Sequence, residues 1–267
     1  MTNYAHIIPL GLEFDRTSFM LSRYPPFRIH FLDPDLIDEE YRTLAKGIQK
    51  KITDLWPVPE KQFHTVCCHD FEKMLLKIVE IMAIEDWFGN KVVPHVFSGS
   101  RIYAIALYVA ACLTNQEIVY VRAKDYLPRG VDMITSGVVE DTFTTIQLFP
   151  IIFPQDYDCV ILEFLTDYQV QQKHEGERMP WRGSRKELIK NLRPYLQKRK
   201  IRVPLAEEVK LSNCITNLRE KKYITRADVQ GKRQVELEIT PIGRLMIGCR
   251  RTIERAKKQK QSHKWPK

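Results

Sequence analysis

The chain has 267 residues, 44% of them hydrophobic and 28% charged, the balance of a globular protein large enough for two modest domains. Its net charge of +9 is unevenly placed. Residues 1–150 carry 15 Lys and Arg against 19 Asp and Glu, and residues 151–267 carry 27 against 14. An excess of cations on that scale points the second portion to nucleic acid, with double-stranded DNA foremost. No apolar run approaches the roughly 20 residues that span a bilayer. The start, MTNYAHIIPLGLEFDR, has neither the basic region nor the cleavage site of a signal peptide. The expectation is a cytoplasmic protein with no membrane partner.

In chain order, His6 to Gly11 reads as an apolar strand that ends on glycine. A helix within GLEFDRTSFMLSRYPP follows, capped by Asp15 and ended by Pro25-Pro26. Arg28 to Leu32 is a second strand. Asp38 to Leu55 is an amphipathic helix with Tyr41, Leu44, Ile48, Ile52 and Leu55 on its apolar face. Phe63 to Cys68 is a third strand, and Phe71 to Trp87 a third helix. Val92 to Phe97 is a short apolar strand, followed by the turn Ser98-Gly99-Ser100-Arg101. The helix from Ile102 to Leu113 places Ile102, Ile105 and Val109, and also Ala106, Ala110 and Leu113, at three- and four-residue spacing. It reads as buried over most of its circumference. Glu117 to Val121 resumes as a strand. The order predicts an α/β fold with a doubly wound, mostly parallel sheet.

The turn after the fourth strand is where chemistry gathers. The first turn of a helix offers backbone N–H groups without partners, and the helix dipole adds partial positive charge. Gly99 permits close backbone approach, Ser98 and Ser100 add hydroxyls, and Arg101 adds a planar cation suited to phosphate. Ligands of open parallel sheets sit beyond the carboxyl ends of the strands. Gly11 would lie at the same edge, so Gly11 to Asp15 (Gly11, Leu12, Glu13, Phe14, Asp15) joins Ser98–Arg101 as one candidate ligand site. The plainer reading of the turn alone is a capped helix start with a solvated arginine. The cluster His64, Cys67, Cys68 and His69 invites a zinc reading, but no second ligand pair is evident, and no metal or cofactor is assigned. Six cysteines without a CxxC read as reduced thiols.

From Asp156 the character changes, so the domains are set at 1–155 and 156–267. Val160, Ile161, Phe164 and Leu165 mark a helix. Gln171 to Ser184 reads as a loop. Ser184 caps a helix through Leu188, Leu192 and Leu196. Pro204 to Lys222 is helical, either as two pieces with Ser212–Lys222 as reader or as one long reader. Tyr223 to Ala227 and Gln234 to Ile239 alternate like strands around Gln230-Gly231-Lys232. Thr240-Pro241 starts a last helix. Three helices, a basic-tipped hairpin and a helix make a winged helix-turn-helix arrangement; a small dimerisation domain is the alternative. Asn213, Thr216, Asn217 and Arg219 are placed on or beside the reader helix, and Lys232 and Arg233 on the wing.

The segment SGSRIYAIALYVAACL…EIVYV resembles CRISPR-associated Rossmann-fold (CARF) domains, whose Thr-Gly-Gly-Thr-Lys precedes a buried helix and a strand ending in Tyr-Val. Ser98, Gly99, Ser100 and Arg101 stand where Thr, Gly, Thr and Lys would, with one glycine absent. The likeness is nearest to archaeal CARF-like proteins with a C-terminal winged helix, named after a haloarchaeal transcriptional regulator. Their Ser-Gly-Ser-Lys-Ile and opening His-Ile-Val-Pro-Val-Gly are similar to this turn and to His6–Gly11. The resemblance covers residues 5–127 well and 156–250 by architecture. It implies a homodimer, a cyclic oligoadenylate or other nucleotide bound at the dimer interface, and ligand-responsive transcriptional regulation. Some CARF domains instead cleave cyclic oligoadenylate as ring nucleases. The turn holds no His or carboxylate to act as general base, so no catalytic residue is assigned and the enzyme reading ranks second. A ligand-free interaction module is the third.

Overall fold

The computed structural model describes residues 2–35, 39–127, 135–139, 143–154, 156–172, 179–201, 207–228 and 234–258. The chain forms two compact units, Met1–Ile151 joined by the chain from Thr252 onward, and Ile152–Arg251. Among the described residues no helix is long and apolar enough to cross a membrane.

The first unit begins with β1 (Tyr4–Pro9), α1 (Asp15–Arg23), β2 (Pro26–Pro34), α2 (Glu39–Leu55), β3 (Glu60–Val66), α3 (Phe71–Trp87), β4 (Lys91–Pro94) and α4 (Arg101–Thr114). The four strands form one parallel sheet in the order β3-β2-β1-β4. The chain therefore winds one way from β1 to β3 and returns on the other side of β1 with β4. That reversal is the switch point of a Rossmann-like α/β sheet. Ala5, Ile7, Ile8, Ile29, Phe31 and Leu32 are buried between the helix layers, as two-sided cover of a parallel sheet requires. Asp70 caps α3 by accepting from the Lys73 amide at 3.0 Å. Asn115, at φ 56°, ends α4 in the left-handed region.

Several expectations change in detail. β5 (Ile118–Tyr120) does not extend the parallel ladder. It pairs antiparallel with β8 (Thr144–Ile146), while β6 (Ala123–Tyr126) pairs antiparallel with β7 (Thr135–Val138). β4 is only four residues long and ends on Pro94, which has no N–H to donate. Leu55 and Phe63 are exposed, and Ala45 joins Ile48 and Ile52 on the buried face of α2. α4 buries Tyr103, Ala106, Leu107 and Ala110, but Ile105 is 56% exposed. One stripe of α4 thus faces outward, and Ile105, expected on the buried face, lies on it.

The second unit runs α5 (Asp156–Gln171), β9 (Trp181–Gly183), α6 (Arg185–Lys198), α7 (Glu207–Glu220), β10 (Ile224–Asp228), β11 (Val235–Ile239) and α8 (Pro241–Lys258), the last of which continues beyond this unit. β9 was hidden in the stretch read as a loop. It pairs antiparallel with β11, held by buried Trp181 opposite Leu237 and by Arg182 donating to Glu236 at 2.7 Å. Polar composition masked a three-residue edge strand carried by one tryptophan. Ser184 and Glu187 form the capping box of α6. Leu188, Leu192 and Leu196 of α6 pack with Leu211, Ile215 and Leu218 of α7 in one core.

Candidate ligand site at the carboxyl edge of the sheet

The turns after β1 and β4 meet. A Cβ added to Gly11 would lie 2.5 Å from the Gly99 backbone nitrogen and 3.1 Å from the Ser98 hydroxyl. Gly99 itself sits at φ +76°, and a Cβ there would lie 2.7 Å from Cβ of Pro9. Both glycines are therefore demanded by the approach of one turn to the other. The buried Ser98 hydroxyl closes the junction by donating to the Pro9 carbonyl at 2.7 Å. It acts as a brace between the two turns.

Ser100 is the N-cap of α4 at φ −78° and ψ 162°, but its side chain makes no cap bond. Ser100 and Arg101 are exposed. Among the described residues, none of the backbone N–H groups of Gly99, Ser100, Arg101 and Ile102 meets an acceptor. Successive unpaired donors at a helix N-terminus, beside an exposed guanidinium, are groups of the kind that suit an anion. Below them, the Tyr103 hydroxyl is buried with no partner among the described residues. Burial pushes its phenol well up, aided by Cys68, Asp35, Asp33 and Cys67.

The residues after β1 take other roles than direct contact. Leu12 is buried in a cluster with Leu10 and Ala45. Phe14 packs half-buried against the core around Ile8 and Leu21. The buried Glu13 carboxylate pairs with Arg16, whose Nε donates at 2.9 Å, and accepts from the Thr135 hydroxyl. Asp15 accepts from the Gly137 amide at 2.6 Å, so it holds β7 rather than capping α1. Sequence reading missed Arg16 and Thr135. Arg16 lies over the Phe97 ring at 5.0 Å and reaches the Phe97 carbonyl at 3.4 Å, tying the start of α1 to the turn after β4. The i, i+3 spacing of Glu13 and Arg16 was the available signal.

Four buried histidines lie together, His6, His30 and His64 on β1, β2 and β3, and His95 just past β4. His6 Nε2 donates to the Tyr24 carbonyl at 2.8 Å, which leaves His6 Nδ1 to accept from His95 Nε2 at 2.9 Å. His30 Nε2 donates to Glu85 at 2.8 Å and its Nδ1 accepts from His64 at 3.0 Å. Glu85 also receives Arg28 at 2.6 Å. Burial holds His6 down to about 4 and His64 down to about 3, and lowers His30 and His95. His64 is thus engaged with His30, away from Cys67 and Cys68, and the described residues contain no cluster of metal-ligating side chains.

Residues 4–126 match the family model described as "HFX_2341_N:-like, N-terminal". That span holds both turns and the whole parallel sheet. No curated protein matches the chain. Among solved structures, it is similar to Can2 from Sulfobacillus thermosulfidooxidans in complex with cyclic tetra-adenylate, at 12% identity and a TM-score of 0.37, over 95% of this chain and 65% of that one. The chain thus spans just under two thirds of Can2. It is similar to VC1899 from Vibrio cholerae at 12% identity and a TM-score of 0.38, over 97% of this chain and 69% of that one. Enterococcus italicus Csm6 bound to cyclic hexa-2'-fluoro-hexa-dAMP shows 12% identity and a TM-score of 0.37, over 84% of this chain and 62% of that one.

In the second unit the candidate DNA contacts divide. Asn213 and Arg219 are exposed on α7 and Thr216 is half-buried beside them. Asn217 instead turns inward, its amide donating to Asp158 of α5 at 2.6 Å. Burial, and then Asp158, push the neighbouring Cys214 thiol up to about 12. Asn217 is therefore a helix-to-helix tie, where a base contact was expected. α7 is continuous from Glu207 to Glu220, without the break near residue 210 that a two-piece reading requires. Lys232, Arg233 and the turn around Gly231 lie outside the described residues.

Proposed function

We propose that the protein is a DNA-binding transcriptional regulator that senses a cyclic oligoadenylate or related nucleotide at the paired turns. The observation that carries the ligand half is the contact of Gly11 with Gly99, which brings two turns and the open N-terminus of α4 to one point. Ser100 and Arg101 supply the exposed hydroxyl and cation. Cyclic oligoadenylate is the ligand suggested by the resemblance of this turn to CARF domains. The match over residues 4–126 supports treating both turns as one functional block.

The ligand is read by two copies of the chain. α4 carries an outward stripe that starts at Arg101 and continues through Ile105 to Tyr108. Tyr108 meets Phe149, which is 71% exposed, edge to face at 6.3 Å, and donates to the Gln147 carbonyl at 3.0 Å. A homodimer through this apolar stripe would bring two Arg101 side chains toward one ligand of two-fold symmetry.

The second unit is a winged helix-turn-helix in this reading, with α6 as the scaffold helix, α7 as the reader and β10–β11 as the wing. Its element order and its cationic excess support that. The exposed Lys186, Lys190 and Lys198 of α6 suit phosphates, and Asn213 suits a base edge. The ring nuclease reading is weaker, because the Ser98 hydroxyl is committed to Pro9, Glu13 to Arg16 and Asp15 to the Gly137 amide, and neither turn holds a histidine.

Fluorescence anisotropy of the full chain on duplex DNA over a salt series, with and without cyclic tetra-adenylate, tests the proposal. Replacing Lys232 and Arg233 by Ala should make the log–log salt slope shallower by up to ~3–4 units in a dimer. Unchanged slope, together with no response to the ligand, would refute the regulator reading.

A further inference from the structure

The opposite edge of the same sheet has the opposite polarity. In an α/β sheet the helices run antiparallel to the strands, so helix C-termini gather where strands begin. Here the ends of α1, α3 and α4 surround a cavity of about 350 Å³. It is lined by Tyr24 from the cap of α1, by Asp86 and Gly89 from the end of α3, and by Asn115 from the cap of α4. Each helix end contributes partial negative charge through carbonyls without intrahelical partners.

Three further features select the ligand. Asp86 of α3 and Glu117, just before β5, bring two carboxylates, against Lys91 among the described lining residues, with Arg23 also acting on Tyr24. The lining also includes the buried Val92, Val93 and Val119, of which Val93 and Val119 pack in one apolar cluster. Tyr4 and Tyr24 stand at one side with ring centroids 5.1 Å apart, and aromatic faces attract ammonium groups. Burial, and after it the Glu117 carboxylate, push the Tyr24 phenol up, which places that carboxylate in the field of the ring. Asp86 accepts from Gln116 at 3.0 Å and Glu117 from the Thr145 hydroxyl at 3.1 Å. Each carboxylate is thus oriented by a neutral neighbour.

We propose that this cavity binds an aliphatic polyamine, with ammonium groups at Asp86 and Glu117 and the alkyl chain against the apolar part of the lining. Carboxylates from two elements, with apolar residues in the same lining, suit cations joined by methylenes. A polyanion such as a cyclic nucleotide is excluded by the same charges. The site is independent of the paired turns, which lie at the other end of the strands.

Isothermal titration calorimetry of the full chain with spermidine is the test. Residues 1–150 carry 15 Lys and Arg against 19 Asp and Glu, so the carboxylate variants, and not binding alone, separate this cavity from diffuse attraction of a polycation. The expected result is saturable binding at one site per chain, weakened roughly three- to tenfold by Glu117→Gln and by Asp86→Asn. Both amides keep an acceptor for Thr145 and Gln116, so folding should be retained. Arg101→Ala should bind spermidine as the wild type does, whatever happens to its nucleotide affinity. Absence of saturable heat, or wild-type affinity in both amide variants, would overturn the proposal. So would equal affinity for Nα-acetyl-lysinamide, which carries one ammonium group and would assign the cavity to a lysine side chain.

Discussion

Gly11→Ala puts the junction of the two turns under direct test. No positive φ is recorded for Gly11, so the substitution costs space, not backbone strain. The new methyl would stand 2.5 Å from the Gly99 nitrogen and 3.0 Å from its Cα. Both are backbone atoms with no rotamer to escape through, so the turn after β4 must move by about 1 Å. Overpacking of that kind costs about 1–3 kcal/mol. For a unit of this size, that lowers the melting temperature by about 2–10 °C. Ser98 should lose its bond to Pro9 as the turns separate, and affinity for cyclic tetra-adenylate should fall with it. Gly47→Ala is the matched control. Gly47 lies inside α2 with nothing within 4 Å of an added Cβ, so alanine there should raise stability by about 0.5–1 kcal/mol. Thermal denaturation of the two variants should give shifts of opposite sign. A Gly11→Ala protein that melts with the wild type and binds ligand equally would refute the account of the junction.

Acid should destabilise the first unit through its histidines. The folded pKa of His6 is about 4, below the unfolded value of about 6.5, so the unfolded chain binds the proton first. Its contribution of about 3 kcal/mol is present above pH 6.5 and lost as pH falls toward 4. Urea midpoints measured from pH 7 to pH 4.5 should fall, with His30, His64 and His95 adding in the same direction; a flat profile would contradict the buried neutral pairs. Asn217→Ala should cost stability, about 1–2 kcal/mol from the lost bond to Asp158, and Asn213→Ala should instead reduce discrimination between operator and random duplex by about 1–3 kcal/mol. Anisotropy with chemical denaturation separates the two, and reversed effects would place the reader face elsewhere. Ile105→Asp should weaken dimerisation about tenfold or more, measured by sedimentation at several concentrations; an unchanged association constant would remove α4 from the interface.

Much of the fold was legible because hydrophobic period and punctuation agree. The third helix, read from its period as Phe71 to Trp87, holds those limits, and Asp70 caps it. β1, β2 and β4 announce themselves as apolar runs that end at turn residues. β9 was not legible, because one buried tryptophan in a polar stretch has no period. β5 was expected in the parallel sheet because β-propensity does not say which edge a strand pairs with. At the candidate site, glycine and serine positions marked the place, but not the division of labour. Nothing local distinguishes Ser98, which braces Pro9, from Ser100, which is open, since that difference depends on a strand 89 residues away. Asn217 is a similar case, decided by Asp158 on another helix.

Calorimetry of the full chain with cyclic tetra-adenylate, wild type against Arg101→Ala, tests the central claim most directly. Saturable binding at one ring per two chains is expected, weakened about tenfold to a hundredfold in the variant, as loss of a charge-assisted hydrogen bond implies. No binding by the wild type would contradict the ligand assignment, and equal binding by both proteins would contradict the role given to the open N-terminus of α4 and its arginine.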